Sequence, residues 1–99
     1  MAGLTEIQAL TTSIGEYTVG MIGADNLAAL QVIVNPREMC AFMTVSLSDV
    51  SDDSQRRAIT TLLDVEKVYA DDLSIEFVFV DEIPEPDEEM ASAPQFVYA

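Results

Sequence analysis

Any chemistry in this chain has to be built from carboxylates. Its 99 residues include 18 Asp and Glu, four bases (Arg37, Arg56, Arg57 and Lys67), one Cys and no His. Without an imidazole, Ser–His and Cys–His nucleophile pairs and His-based metal sites have no members. Asp49, Asp52 and Asp53 are close enough in sequence to gather Ca²⁺ or Mg²⁺. Their spacing lacks the EF-hand pattern, and acids at a helix start serve as caps and dipole partners, which is the reading taken here. Glycoside chemistry would need two acids in one cleft with divergent pKa values, and a domain this small rarely encloses a sugar site. Cys40 has no basic partner and lies in an apolar run, as a core thiol does. Gly20 and Gly23 form no phosphate loop, since both GxGxxG and a following Lys are missing. The expectation is a protein that is not an enzyme and uses neither cofactor nor metal.

What remains is the acidity itself. The net charge is −14, and only Glu6, Glu16, Asp25 and Glu38 of the acids lie in residues 1–48. The densest run, residues 81–89, contains Asp81, Glu82, Glu85, Asp87, Glu88 and Glu89, interrupted by Pro84 and Pro86. A field of this sign repels nucleic acid and anionic membrane and attracts a basic protein surface, with strong salt dependence. Three readings follow. In the first, the acids serve only to keep the domain hydrated, as in a high-salt cytoplasm. In the second, they imitate a nucleic acid: duplex DNA carries about one charge per 1.7 Å, so the net charge matches roughly seven base pairs. In the third, the 81–89 run alone is an interaction tail on a scaffold.

The elements that would position these acids can be read from periodicity. Leu4, Ile7, Leu10 and Ile14 recur at helical spacing behind a Thr5/Gln8 capping-box pattern, and Gly15 offers a stop, so a short helix is expected over 4–14. Residues 16–22 alternate Tyr17, Val19 and Met21 as a strand would, and Gly23-Ala24-Asp25-Asn26 reads as a turn. Residues 27–34 follow as a second strand, less firmly over 27–30, where a helical turn also fits. Asn35-Pro36-Arg37-Glu38 is a turn, and 39–47 alternates as a third strand, completing an antiparallel meander. Met21, Met39 and Met43 then fill core positions rather than a binding groove.

Ser51 or Asp52 can cap a helix over 52–68, with a stripe of Ala58, Leu62, Val65 and Tyr69 flanked by Ile59. Asp52 with Arg56 and Asp53 with Arg57 stand four apart on it, pairs worth about 0.2–0.5 kcal/mol each. Residues 73–80 alternate Leu73, Ile75, Phe77 and Phe79 as a fourth strand of the same sheet. The two prolines that follow remove ladder donors and send the chain out as an acidic tail. Within 91–99, Phe96-Val97-Tyr98 is the one stretch able to dock as an anchor. The opening MAGLTEIQAL has neither a basic n-region nor a long apolar h-region, and with a single Cys this points to a cytoplasmic protein.

Glu16-Tyr17-Thr18-Val19, Gly23-Ala24-Asp25-Asn26, the run ending Val34-Asn35, a third strand and a Ser/Asp-rich helix entry together resemble small acidic phage anti-CRISPR proteins. Those inhibit the RNA-guided nuclease of type II systems, and the likeness covers roughly residues 4–65. It implies a short helix, a three-stranded antiparallel sheet and further helices, with carboxylates seated where the nuclease reads the motif flanking its target. On this likeness Glu16 matches an acid at the start of the first strand, and Glu38 an acid in the turn between strands two and three. Arg37 departs from that pattern, and residues 73–80 replace the family's last helix.

The sequence therefore predicts an α+β fold: a short N-terminal helix, a three-stranded antiparallel meander, a helix, and a fourth strand on the same sheet. It predicts one domain over 1–80 and an acidic tail over 81–99. Glu16, Glu38, Asp81, Glu82, Glu85, Asp87, Glu88 and Glu89 are the expected partner-binding residues. The expected partner is a basic, nucleic-acid-binding protein, with no direct nucleic acid and no membrane. The alternative is a small structural or self-associating domain, such as a homodimer through a free sheet edge, whose acids serve solubility.

Overall fold

The computed structural model describes residues 3–86, 88 and 90–98. It is α+β: helix α1 (Leu4–Ile22), strands β1 (Leu27–Asn35) and β2 (Cys40–Leu47), helix α2 (Asp52–Tyr69), then strands β3 (Ser74–Phe79) and β4 (Gln95–Tyr98). The four strands form one sheet in the order β3-β2-β1-β4.

The first correction concerns residues 16–22, which continue α1 instead of forming a strand, so the three-stranded antiparallel meander does not exist. Helical spacing wins because Ile7, Thr11, Ile14 and Thr18 are the buried positions, whereas Tyr17 and Met21 of the supposed strand face are exposed. The two buried threonines donate their hydroxyls to the Ile7 and Ile14 carbonyls at 2.7 Å, which lets a polar β-branched residue sit in the apolar stripe. Gly15 is no stop. A Cβ there would overlap the Phe96 ring, so the glycine admits β4 against the helix. The helix ends at Gly23, whose φ of 94° suits glycine and whose N–H donates to the Val19 carbonyl. Nor does the Thr5/Gln8 box form: Gly3 is the N-cap and no side chain caps it.

β1 and β2 make the expected hairpin, in register from Asn35↔Cys40 back to Leu27↔Leu47 with an irregularity between Leu27 and Ala29. The Asn35 side-chain oxygen accepts from the Arg37 and Glu38 backbone N–H groups and so shapes the turn. Ser51 caps α2 by accepting from Ser54 N, and Ala58, Leu62 and Val65 bury its stripe as expected. Because α2 carries the chain back across the sheet, β3 lies parallel to β2, from Cys40↔Ser74 to Val45↔Phe79. The expected fourth strand is thus on the same sheet, but the sheet is mixed.

The core fills one face of the sheet. Leu30, Val32 and Val34 of β1, Ala41, Met43 and Val45 of β2 and Ile75 of β3 meet Ile7 and Ile14 of α1 and Leu62 and Val65 of α2. The helices also touch through Tyr17 and Tyr69, edge to face at 6.0 Å, and through a 2.9 Å bond between Ser13 Oγ and Tyr69 OH. The boundary expected at residue 80 does not end the sheet: Gln95–Tyr98 pairs antiparallel with β1 at the far edge.

Candidate protein-binding face

β3 and β4 lie on opposite edges, so the acidic segment joining them has to pass from one to the other. It does so over the sheet face turned away from the helices. Val80 N–H donates to the Val45 carbonyl, leaving the chain at the Leu47 end of β2. Ser46 and Gln31 point to this second face, because they alternate with the core positions of their strands. The Ser46 hydroxyl donates to the Asp81 carbonyl at 3.0 Å, and Gln31 Nε2 donates to the Pro84 carbonyl at 3.4 Å. The Pro94 carbonyl then accepts from Val34 N–H at the opposite end of β1. The described residues of this segment, 81–86, 88 and 90–94, are therefore a diagonal strap, tied to β2, β1 and β1 in turn.

The strap has an inner and an outer side. Ile83, Pro86 and Met90 are half-buried and Pro94 is buried, while Asp81, Glu82, Glu85 and Glu88 are exposed. Beneath it the second-face residues Gln31, Ile33, Cys40 and Ser46 are all under a tenth exposed, which the helices on the other face cannot explain. Pro84 and Pro86 keep the segment extended and unable to join a ladder, so it crosses the strands without adding to them. Over an extended stretch at about 3.3 Å per residue, Glu82 and Glu85 stand roughly 10 Å apart.

Of the residues singled out from sequence, the structure brings together Asp81, Glu82, Glu85 and Glu88. Glu76, exposed on the same face of β3, belongs with them and was missed; its place opposite Ile75 in a period-two strand was the available signal. Glu16 is exposed on α1, in the helical layer with the sheet between it and the strap, and Glu38 is exposed in the β1–β2 turn beside Arg37. Glu16 therefore does not share the strap's face, and Glu38 belongs to the turn and not to the sheet face. Because Glu16-Tyr17-Thr18-Val19 is helical, Glu16 also does not open a first strand. Asp87 and Glu89 lie outside the described residues. Arg56, Arg57 and Lys67 sit on α2, on the opposite side of the sheet from the strap, and Arg37 sits in the β1–β2 turn.

The other chemical candidates have structural work. Asp49 accepts from Ser51 N–H (3.0 Å), Ser51 Oγ (3.1 Å) and Ser54 Oγ (2.9 Å), bracing the start of α2. Those donors, with the Ser51 amide foremost and Arg57 contributing least, lower its carboxyl pKa below 3.8. Arg57 itself donates to Ser54 Oγ. Cys40 is buried. Among the described residues no three acids or thiols converge as a metal site, and no helix is long and apolar enough to cross a membrane. No protein-family model, curated protein or solved structure matches this chain.

Proposed function

We propose that this protein is a non-enzymatic acidic binding module that presents the strap carboxylates to an Arg/Lys surface of a nucleic-acid-binding protein and so excludes the nucleic acid. The single observation behind this reading is the strap. Asp81, Glu82, Glu85 and Glu88 project from a segment hydrogen-bonded to the sheet, and three of the four bases lie on α2, across the sheet. Carboxylates fixed on a folded body lose less freedom on binding than those of a loose tail, and offer a basic groove oxyanions at set positions. Competition needs no bond to be made or broken. A phage-type inhibitor of a defence nuclease is the particular target class that the sequence resemblance suggests. Contact would run through the strap and Glu76, not through Glu16 and Glu38.

The solubility reading draws on a different observation: Glu6, Glu16, Asp25, Asp64, Asp71 and Asp72 are also exposed, spread over α1, α2 and their turns. Two variants of equal net charge separate the readings. In one, Asp81→Asn, Glu82→Gln, Glu85→Gln and Glu88→Gln neutralise the strap; in the other, Glu6→Gln, Glu16→Gln, Asp25→Asn and Asp64→Asn neutralise scattered acids. A DNA-binding protein captured by the wild type and displaced by duplex DNA should bind the strap variant about tenfold to a thousandfold more weakly, at about 0.3–1 kcal/mol per exposed charge. It should bind the scattered variant nearly as well as the wild type. Equal losses in both would refute a defined binding face.

A further inference from the structure

Resting on the reading that the partner is a basic protein, we propose that the free edge of β3 receives an extended segment of that partner as a fifth strand. The two edges of this sheet are treated differently. β4 has four residues, and Gln95, one of the two whose backbone faces outward, is already occupied: the Gln8 amide donates to the Gln95 carbonyl at 3.0 Å and accepts from Gln95 N–H at 3.2 Å. β3 has six residues and no such cover. Ser74 N–H donates to Met39 and Val80 N–H to Val45, so even-numbered residues face β2 and the N–H and C=O groups of Ile75, Phe77 and Phe79 face outward. Among the described residues no hydrogen bond from another segment reaches them. Three devices that blunt an edge are missing, since Ser74–Phe79 contains no Pro, no Lys and no register break, and the charge it carries is acidic.

Charge selects the occupant. Asp71 and Asp72 precede the strand, Glu76 lies within it, and Asp81 and Glu82 follow it, all exposed. A second copy laid antiparallel about Phe77 would set Asp72 against Glu82, and one laid about Glu76 would set Asp71 against Asp81 and Glu76 against its own copy, like charges face to face. A strand with Lys or Arg at both ends and opposite Glu76 meets opposite charges in either direction. Apolar residues between those bases find Val78 (55% exposed) and Phe42 (39% exposed), which with Thr44 and Glu76 line a groove of about 620 Å³ over β2 and β3 that the strap leaves open. Backbone bonds to the edge would give affinity, and alternate side chains specificity.

A synthetic nonapeptide of alternating Lys and Val is the probe, titrated into the full chain while backbone amide signals and their hydrogen exchange are followed. Saturable slowing of exchange at Ile75, Phe77 and Phe79 by about tenfold or more is expected, lost when alternate peptide nitrogens are methylated and when Glu replaces Lys. Shifts confined to Asp81, Glu82, Glu85 and Glu88 would overturn strand addition while leaving the acidic face as the binding surface. No shift at either place would overturn both. Slowing of the same three amides with protein concentration alone would overturn it in favour of a second copy, and slowing by the N-methylated or Glu peptide would overturn it as well.

Discussion

At Gly15 the missing Cβ decides where β4 can lie, and two substitutions expose this. Alanine is favoured over glycine in a helix by about 1 kcal/mol. At Gly20, where nothing lies within 4 Å of an added Cβ, Gly20→Ala should stabilise by about 0.5–1 kcal/mol. At Gly15 the same change drives a methyl into the Phe96 ring, so Gly15→Ala should destabilise by about 1–3 kcal/mol despite the better propensity. Urea unfolding of both variants checks the opposite signs. Asp49 supplies a pH-dependent counterpart. Its carboxyl pKa is lowered by the Ser51 amide and the Ser54 and Ser51 hydroxyls. A carboxylate depressed in the folded state stabilises fully above its unfolded value, near 3.8, and loses that contribution as pH falls through the lower folded value. Asp49→Asn should therefore be less stable than the wild type at pH 7, with the gap closing below about pH 4. Denaturation series from pH 7 to pH 2 measure it.

At the scale of elements, α2, the β1–β2 hairpin and the strand that became β3 were legible because one signal dominated each. Ser51 followed by Ala58, Leu62 and Val65 has only a helical reading, and Asn35-Pro36 between β-branched runs has only a turn reading. Residues 16–22 were not legible, since Tyr17, Val19 and Met21 alternate like a strand while Ile14, Thr18 and Ile22 recur like a helix. Burial chose the second set, with threonines serving as core residues through their own backbone bonds. Gly15 misled in the same way, its role being close approach to an element eighty residues away. Parallel pairing of β3 was implied by the intervening helix, which an antiparallel neighbour does not require. Gln8, which looked like half of a capping box, in fact ties α1 to β4 by two backbone bonds. Gln8→Ala should cost about 1–2 kcal/mol and speed exchange at Gln95 before the rest of the sheet, as site-resolved hydrogen exchange will show.

For the molecule as a whole, the acidic run was plain in the sequence and its location was not. Whether residues 81–89 trail into solvent or lie across a sheet depends on where the next segment docks, and Phe96-Val97-Tyr98 signalled that only as an anchor. Once Gln95–Tyr98 occupies the edge opposite β3, the segment between them is spanned at both ends. Ser46 and Gln31, two polar side chains in otherwise apolar strands, then become its attachment points. Glu16, on α1, falls on the other side of the sheet from it. A binding module of this kind rests on carboxylates carried by a fixed strap rather than by a loose tail. Backbone ¹⁵N relaxation across residues 81–86 tests this most directly. Order parameters near those of the strands, about 0.85, are expected, falling in Ser46→Ala and Gln31→Ala variants. Values below about 0.6 in the wild type, typical of a flexible chain, would contradict the account.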